Sequence, residues 1–130
     1  MKACRVSITT VAEGKETKFE YDGELHAENN AFQVRYFEPQ AEVLLSVSEK
    51  GAQLQRSGDY SLQLLFRNGE LMSGSIGISG SIGNVQTHTR HFAYKCREKS
   101  VSLSLKYDLI LSGEKQRMEI LLFAKEICRN

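Results

Sequence analysis

The sequence predicts an all-β protein, a closed antiparallel up-and-down β-barrel of about 8–10 strands, with residues 1–130 forming one domain. Three observations predict this fold. Apolar and polar residues alternate along most of the chain, which is the period of a strand with one buried face. Turn-forming residues separate the alternating runs. The connections are too short for the helical crossovers that parallel strands require.

The alternating apolar positions mark the candidate strands in chain order. The clearest run is Val101–Leu111, in which apolar residues alternate with Ser, Lys and Asp, so that one face meets a core. Gly23 stands where an apolar side chain is expected, which predicts a bulge or a sharp bend. The other runs are Cys4-Val6-Ile8, Phe19-Tyr21-Leu25-Ala27, Phe32-Val34-Tyr36, Val43-Leu45-Val47, Tyr60-Leu62-Leu64-Phe66 and Met118-Ile120-Leu122-Ala124.

Turn signals lie between these runs. Asn68-Gly69 is the strongest, because tight hairpin turns need a positive φ that Gly, Asn and Asp adopt at little cost. Further signals are Asn29-Asn30, Lys50-Gly51, Gly58-Asp59 and Ser112-Gly113. Sequential antiparallel pairing follows, and closure into a barrel would protect the strand edges. A β-sandwich is the remaining alternative.

Composition and charge narrow the function classes. The chain has 17 Lys and Arg residues against 16 Asp and Glu, a net charge of +1, so no long-range field attracts nucleic acid or an anionic membrane. The N-terminal residues carry no apolar core of signal-peptide length, and no apolar run approaches the roughly 18 residues that span a bilayer. We therefore expect a cytoplasmic protein without a nucleic-acid or membrane partner.

The three cysteines are Cys4, Cys96 and Cys128. They are odd in number and far apart, which fits neither a disulfide framework nor a Cys-x-x-Cys pair. We interpret them as reduced thiols. A reactive Cys128 is the alternative, but most free cysteines behave as small buried hydrophobes.

No motif predicts an enzyme or a cofactor. The glycine-rich segment Gly74–Gly83 lacks the Lys and the helix pattern that a phosphate-binding loop needs, and predicts a flexible hairpin or a bend in the barrel. The partial match Gly77-Ile78-Ser79-Gly80 falls short of a nucleophile elbow. No two carboxylates are singled out as an acid and base pair.

Two histidines lie on the candidate strand Val85–Tyr94. Strict alternation places His88 and His91 on opposite faces, so without a bulge between them they cannot chelate one metal, and we predict no metal site. If Phe92 points inward, His88 and Arg90 also face the interior and form a cationic spot there. The alternative is a bulge near Thr89 that leaves them in solvent, which we favour because a lone buried Arg is costly.

Four tyrosines fall on predicted inward faces, where their hydroxyl groups need partners. They are either cavity-lining residues or ordinary core residues whose hydroxyls reach the barrel end. Together with the cationic spot they give the candidate ligand-binding residues of the barrel interior, which are Tyr21, Tyr36, Tyr60, His88, Arg90 and Tyr107.

Several longer motifs resemble those of the YwiB-like bacterial proteins of unknown function. They are Tyr21-Asp22-Gly23-Glu24-Leu25, Val34-Arg35-Tyr36-Phe37-Glu38-Pro39, Gly58-Asp59-Tyr60, and the alternating strand Leu103–Leu111 followed by Gly113-Glu114. The resemblance covers nearly the whole chain, although the glycine-rich Gly74–Gly83 departs from it. It implies a calycin-type β-barrel, related in shape to lipocalins, and no activity.

Two functions of different classes are compatible with these observations. The first is binding of a small apolar or anionic ligand in the barrel interior, which the calycin-type resemblance favours by analogy. The second is an interaction or structural module without a ligand, which recruits a partner or forms a homodimer through an exposed apolar strand face. Apolar residues at outward positions predict such a face, namely Leu44, Leu65, Leu121 and Phe123.

Overall fold

The computed structural model describes residues 1–127 and consists of ten β-strands. Each strand pairs antiparallel with the next, and the first pairs with the last, so the sheet closes into a barrel. The predicted all-β, closed antiparallel barrel is therefore confirmed. The strands are β1 (Lys2–Ala12), β2 (Lys15–Glu28), β3 (Ala31–Glu38), β4 (Ala41–Ser48), β5 (Gly51–Gly58), β6 (Tyr60–Phe66), β7 (Leu71–Ile78), β8 (Ser81–Cys96), β9 (Ser100–Leu111) and β10 (Glu114–Glu126).

The strands end at two rims. The terminal rim carries both ends of the described chain and the turns at 29–30, 49–50, 67–70 and 97–99, and the opposite rim carries the other hairpin turns. Asn29 and Asn30 have φ of 53° and 58°, the positive values that a two-residue hairpin turn requires. Within the described residues, no helix is long and apolar enough to cross a bilayer.

The barrel interior is a packed core. Every strand except β7 contributes buried apolar side chains to one continuous cluster, in which Val6, Val34, Phe66 and Leu105 are fully buried. Alternation explains this arrangement, because the apolar half of each strand points inward and the polar half outward. The ring of Tyr107 packs edge-on against Phe66, with ring centroids 4.7 Å apart.

Gly23 marks the position where β2 leaves β3. Hydrogen-bonded pairing between the two strands begins at Gly23 and Tyr36 and runs only toward the terminal rim. A Cβ at Gly23 would collide with the carbonyl oxygen of Arg35, so the strands approach closely there. Pairing with β1 continues through Gly23 and pairing with β3 starts there, both in regular register, so the predicted bulge is not present and β2 instead diverges from β3 at this point.

The glycine-rich segment Gly74–Gly83 forms a hairpin, which is one of the two structures predicted for it, the other being a bend in the barrel. Its strands β7 and β8 are joined by a turn at Ser79-Gly80, with φ of 49° and 82°. Strand β7 pairs with β6 only near the opposite rim. Closer to the terminal rim, the hydroxyl of Thr87 on β8 instead donates a hydrogen bond to the carbonyl of Leu65 on β6.

Candidate functional site

Three of the six candidate residues gather near the opposite rim. The rings of Tyr21 and Tyr36 stack with centroids 5.3 Å apart, while Tyr60 lies exposed at the edge of the barrel. Burial, and then the negative charge of Glu38, raises the pKa of Tyr36. The deeper Tyr107 is also buried, and burial raises its pKa as well. The tyrosines thus face inward as predicted, except that Tyr60 is left in solvent at the end of its strand.

Arg56 also belongs to this cluster, and neighbouring groups of the protein neutralise its positive charge. Its guanidinium lies 3.6 Å from the centroid of the Tyr60 ring and donates to the Tyr60 carbonyl at 2.7 Å. Its Nε lies 3.0 Å from Oε1 of Glu38 and its Nη2 lies 2.8 Å from Oδ1 of Asp59. Because the protein itself occupies these donors, the cluster does not present a free cation.

Sequence reasoning did not single out Arg56. Its inward position could have been inferred, because it continues the alternation of Ala52 and Leu54 on the short strand β5. Its partner Asp59 is local, three residues further along the chain, whereas Glu38 on β3 meets Arg56 only through the strand register.

His88 and Arg90 lie on the outer wall, so placing them in the interior was wrong. The register between β8 and β9 shifts between Thr89 and His91, which makes Arg90 the extra residue of a β-bulge. Thr87 and Thr89 face the core before the bulge, and Phe92 faces it afterwards. The alternative with a bulge near Thr89 is therefore confirmed.

The bulge also places both histidines on the same face, contrary to strict alternation. His88 lies opposite Asp108 and His91 opposite Lys106, two outward positions of β9. Within residues 1–127, however, no group of three or more His, Cys, Asp or Glu side chains is arranged to hold a metal ion.

Asp108 explains why His88 and Arg90 are not simply solvated. Its side chain points outward yet is only 8% exposed, with Oδ1 3.4 Å from Nε of Arg90 and Oδ2 4.0 Å from Nδ1 of His88. Oδ1 accepts no hydrogen bond of good geometry. The Arg90–Asp108 ion pair and the neighbouring His88 form a polar cluster on the barrel wall.

Two cysteines are described, and both are free thiols. Cys4 is fully buried, and burial followed by the neighbouring carboxylates raises its pKa to about 11. Cys96 is half-buried, and burial raises its pKa too. Cys128, predicted as the alternative reactive thiol, lies outside the described residues.

A polar recess lies on the outer wall near the terminal rim, and we call it the outer cleft. It has a volume of about 560 Å³. One row of directly opposite residues crosses its wall on β2 to β6, and consists of His26, Gln33, Ser46, Gln53 and Leu65. Met72 on β7 and Arg67 after β6 border the row on one side, and Glu28 borders it on the other.

The row combines hydrogen-bonding groups with little charge. Gln33 donates to the Ser46 hydroxyl at 3.2 Å, and Nε2 of His26 lies 3.3 Å from Oε2 of Glu28. A glutamine amide offers both donors and an acceptor, so Gln33 and Gln53 can each satisfy a ligand group of either kind. The neighbouring Leu65 and Met72 add an apolar surface.

The outer cleft was not predicted from the sequence. Its polar residues occupy ordinary outward positions, and their convergence depends on the register of four strand pairs. The available signal was the uncharged glutamines at outward positions of neighbouring strands, where Lys and Glu are more usual.

Comparisons with known proteins identify a family and a similar fold. A family model described as a domain of unknown function, DUF1934, matches residues 4–121. The crystal structure of the ywiB protein from Bacillus subtilis superposes with a TM-score of 0.86 at 16% sequence identity, covering 98% of this chain and 93% of that one. No curated protein matches the sequence significantly.

Proposed function

This chain belongs to the DUF1934 family of domains of unknown function, and from its outer cleft we propose that it binds a small, neutral, hydrogen-bonding molecule. The observation that carries this proposal is the unbroken row from His26 to Leu65 across five adjacent strands. Strands lie about 4.8 Å apart, so the row spans roughly 19 Å. That is enough length for a polar molecule of two or three rings.

The size and lining of the outer cleft support a small ligand. Its volume of about 560 Å³ is within the range of small-molecule sites, which is roughly 300–1,000 Å³. The amides of Gln33 and Gln53 and the hydroxyl of Ser46 offer donors and acceptors that suit hydroxyl groups or amide-like edges. Leu65 and Met72 offer contact for the apolar face of a sugar or a nucleobase.

The core disfavours the interior site. Large side chains such as Phe66 and Leu105 fill the barrel, and neither Tyr36 nor Tyr107 borders the outer cleft. At the opposite rim the donors of Arg56 are already occupied by Glu38 and Asp59. A ligand on the outer wall requires neither displacement of the core nor rupture of these ion pairs.

The lining favours binding over catalysis. His26 and Ser46 are the residues of the row that could act as a base and a nucleophile, but Gln33 separates them. Two strand spacings amount to about 10 Å, which is beyond hydrogen-bonding reach.

The proposal is tested by screening neutral monosaccharides, disaccharides and nucleosides by ligand-observed NMR, followed by calorimetric titration of the hits. We expect Gln33→Ala and Gln53→Ala each to weaken binding about tenfold, since each removes hydrogen bonds to the ligand. Gln63→Ala is the matched control, because Gln63 is an exposed glutamine on β6 outside the cleft.

Hits that bind the Gln33→Ala and Gln53→Ala variants as tightly as they bind the unsubstituted protein would place the site elsewhere. A panel without a single hit would also reject the proposal. Thermal unfolding of each variant checks that the barrel is intact.

A further inference from the structure

A second recess crosses the outer wall around β10, and we call it the β10 groove. It has a volume of about 580 Å³ and is separate from the outer cleft, because the two share no lining residue. Its lining comprises Ser7, Thr9, Lys18, Ala93, Tyr94, Lys95, Arg97, Ser100, Ser102, Leu103, Ser104, Leu121, Leu122 and Phe123.

Two exposed apolar side chains run along the middle of the β10 groove. Leu121 is 53% exposed and Phe123 is 46% exposed, which confirms the outward apolar positions predicted from the sequence. Short side chains flank both: Thr9 and Ser104 lie opposite Leu121 on either side, and serines flank Phe123 in the same way. Because its neighbours are short, the apolar strip remains open to a ligand.

The charged residues that line the groove are all cationic. Lys18 borders one side of the groove, and Lys95 and Arg97 border the other. No Asp or Glu belongs to the lining, and within residues 1–127 these three cations form no ion pair. The residue opposite Ser7 on β2 is the acidic Glu20, whose carboxylate already lies 3.6 Å from the guanidinium of Arg5.

We propose that the β10 groove binds a linear aliphatic carboxylate, with the chain along Leu121 and Phe123 and the acid group at Lys95 and Arg97. In the register, Phe123 lies two strands from Lys95 through Ser102, a separation of about 10 Å. The carboxylate at Lys95 is therefore within the length of a chain that starts on the apolar strip, and Arg97 lines the groove two residues further along. Serine hydroxyls between them supply further hydrogen-bond donors.

The dimensions of the groove favour a small molecule over a protein partner. A stable protein interface covers about 800 Å² on each side and centres on several buried anchor residues. Here two apolar side chains stand among hydroxyl groups, and the recess has the volume of a small-molecule site. The surplus of unpaired positive charge selects an anion.

Calorimetric titration with decanoate, below its critical micelle concentration, tests the proposal. The chain-matched probes are neutral decanediol and cationic decyltrimethylammonium. We expect one decanoate per protein, with the diol binding about tenfold more weakly and the cation more weakly still. The double variant Lys95→Gln, Arg97→Gln should lose about tenfold in decanoate affinity, and Leu121→Ser should weaken all three probes.

Lys125→Gln is the matched control, because Lys125 also points outward on β10 but does not line the groove. Gln33→Ala, a variant of the outer cleft, should bind decanoate normally, so this test and that of the proposed function fail independently. Equal binding of the three probes, or an unchanged affinity in the Lys95, Arg97 double variant, would overturn the proposal. A dimer in sedimentation that Leu121→Ser dissociates would also overturn it, since the strip would then belong to a second copy.

Discussion

Nε of Arg90 lies 3.4 Å from Oδ1 of Asp108, and Arg90 is itself the extra residue of the bulge in β8. The ion pair therefore joins the irregular point of one strand to the regular neighbouring strand. Since Asp108 is almost fully buried, its carboxylate depends on Arg90 for compensation of its charge.

Replacing Arg90 with Met should destabilise the barrel. The substitution keeps much of the aliphatic stem but leaves the buried carboxylate of Asp108 beside an apolar group. We expect the free energy of unfolding to fall by about 1–3 kcal/mol, the usual cost of an uncompensated buried polar group. Urea denaturation measures the change, and Asp108→Asn in the Arg90→Met background should recover part of it.

Arg67→Met is the control, because Arg67 is exposed and forms no ion pair within residues 1–127. Equal stability of the Arg90 and Arg67 variants would show that Asp108 does not need the guanidinium.

Two glycines of the β7–β8 hairpin should respond differently to the same substitution. A Cβ at Gly74 would collide with the backbone carbonyl of Gln63, whereas the nearest atom to a Cβ at Gly83 is Cγ2 of Ile76 at 3.6 Å. Gly74→Ala should therefore lower the free energy of unfolding by about 1–3 kcal/mol. Gly83→Ala should change it little. Denaturant titration of both variants measures the two changes. A larger loss of stability in Gly83→Ala than in Gly74→Ala would contradict the close approach of β6 and β7.

The buried tyrosines should make the protein sensitive to alkali. Tyr36 and Tyr107 have a raised pKa in the folded state, so they favour folding in their neutral form. This contribution is complete below the unfolded pKa of about 10 and is lost as pH rises above it, at up to about 1.4 kcal/mol per pH unit for each tyrosine. Stability measured from about pH 8 to 11 should fall less steeply in Tyr36→Phe than in the parent protein.

Tyr60→Phe provides the comparison, since Tyr60 is exposed at the opposite rim. A steep alkaline loss that survives in both Tyr36→Phe and Tyr107→Phe would assign the sensitivity to other groups.

Cys4 should resist thiol reagents in the folded protein. Its pKa of about 11, against an ordinary 9.0, leaves about a hundredfold less thiolate at pH 8, and its sulfur is buried. In a Cys96→Ser, Cys128→Ser variant, a chromogenic disulfide reagent should react with Cys4 only after denaturant is added. Rapid reaction under native conditions would mean that β1 detaches from its neighbours.

The sequence was sufficient to predict the architecture because this barrel is built from local signals. Alternation determines which side of Val101–Leu111 faces inward, and turn residues such as Asn29-Asn30 determine where hairpins close. Neither signal requires knowledge of distant contacts. Strands β5 and β7 are the exceptions, since polar residues or glycines blur their alternation.

The candidate site was less predictable because sites depend on register. Strict alternation from Phe92 places His88 inside. The single extra residue Arg90 shifts the alternation by one, so the β8 residues before the bulge face the opposite side from the one expected. The row of the outer cleft likewise forms only because Gln33 lies opposite Ser46 and Ser46 opposite Gln53. Periodicity within one strand carries no information on such pairings.

The pairing of β1 with β10 gives the barrel a cyclic order. Nine of the ten strand pairs join consecutive strands, and the tenth joins Cys4 to Glu126 across nearly the whole sequence. Folding can therefore proceed by successive hairpins, while this seam must wait for the largest loop closure. The backbone N–H of Ile127 also donates to the carbonyl of Ala3 at 3.0 Å, so a short linker could join β10 to β1. A circular permutant opened at another hairpin turn would retain all ten pairs and turn the seam into a local hairpin.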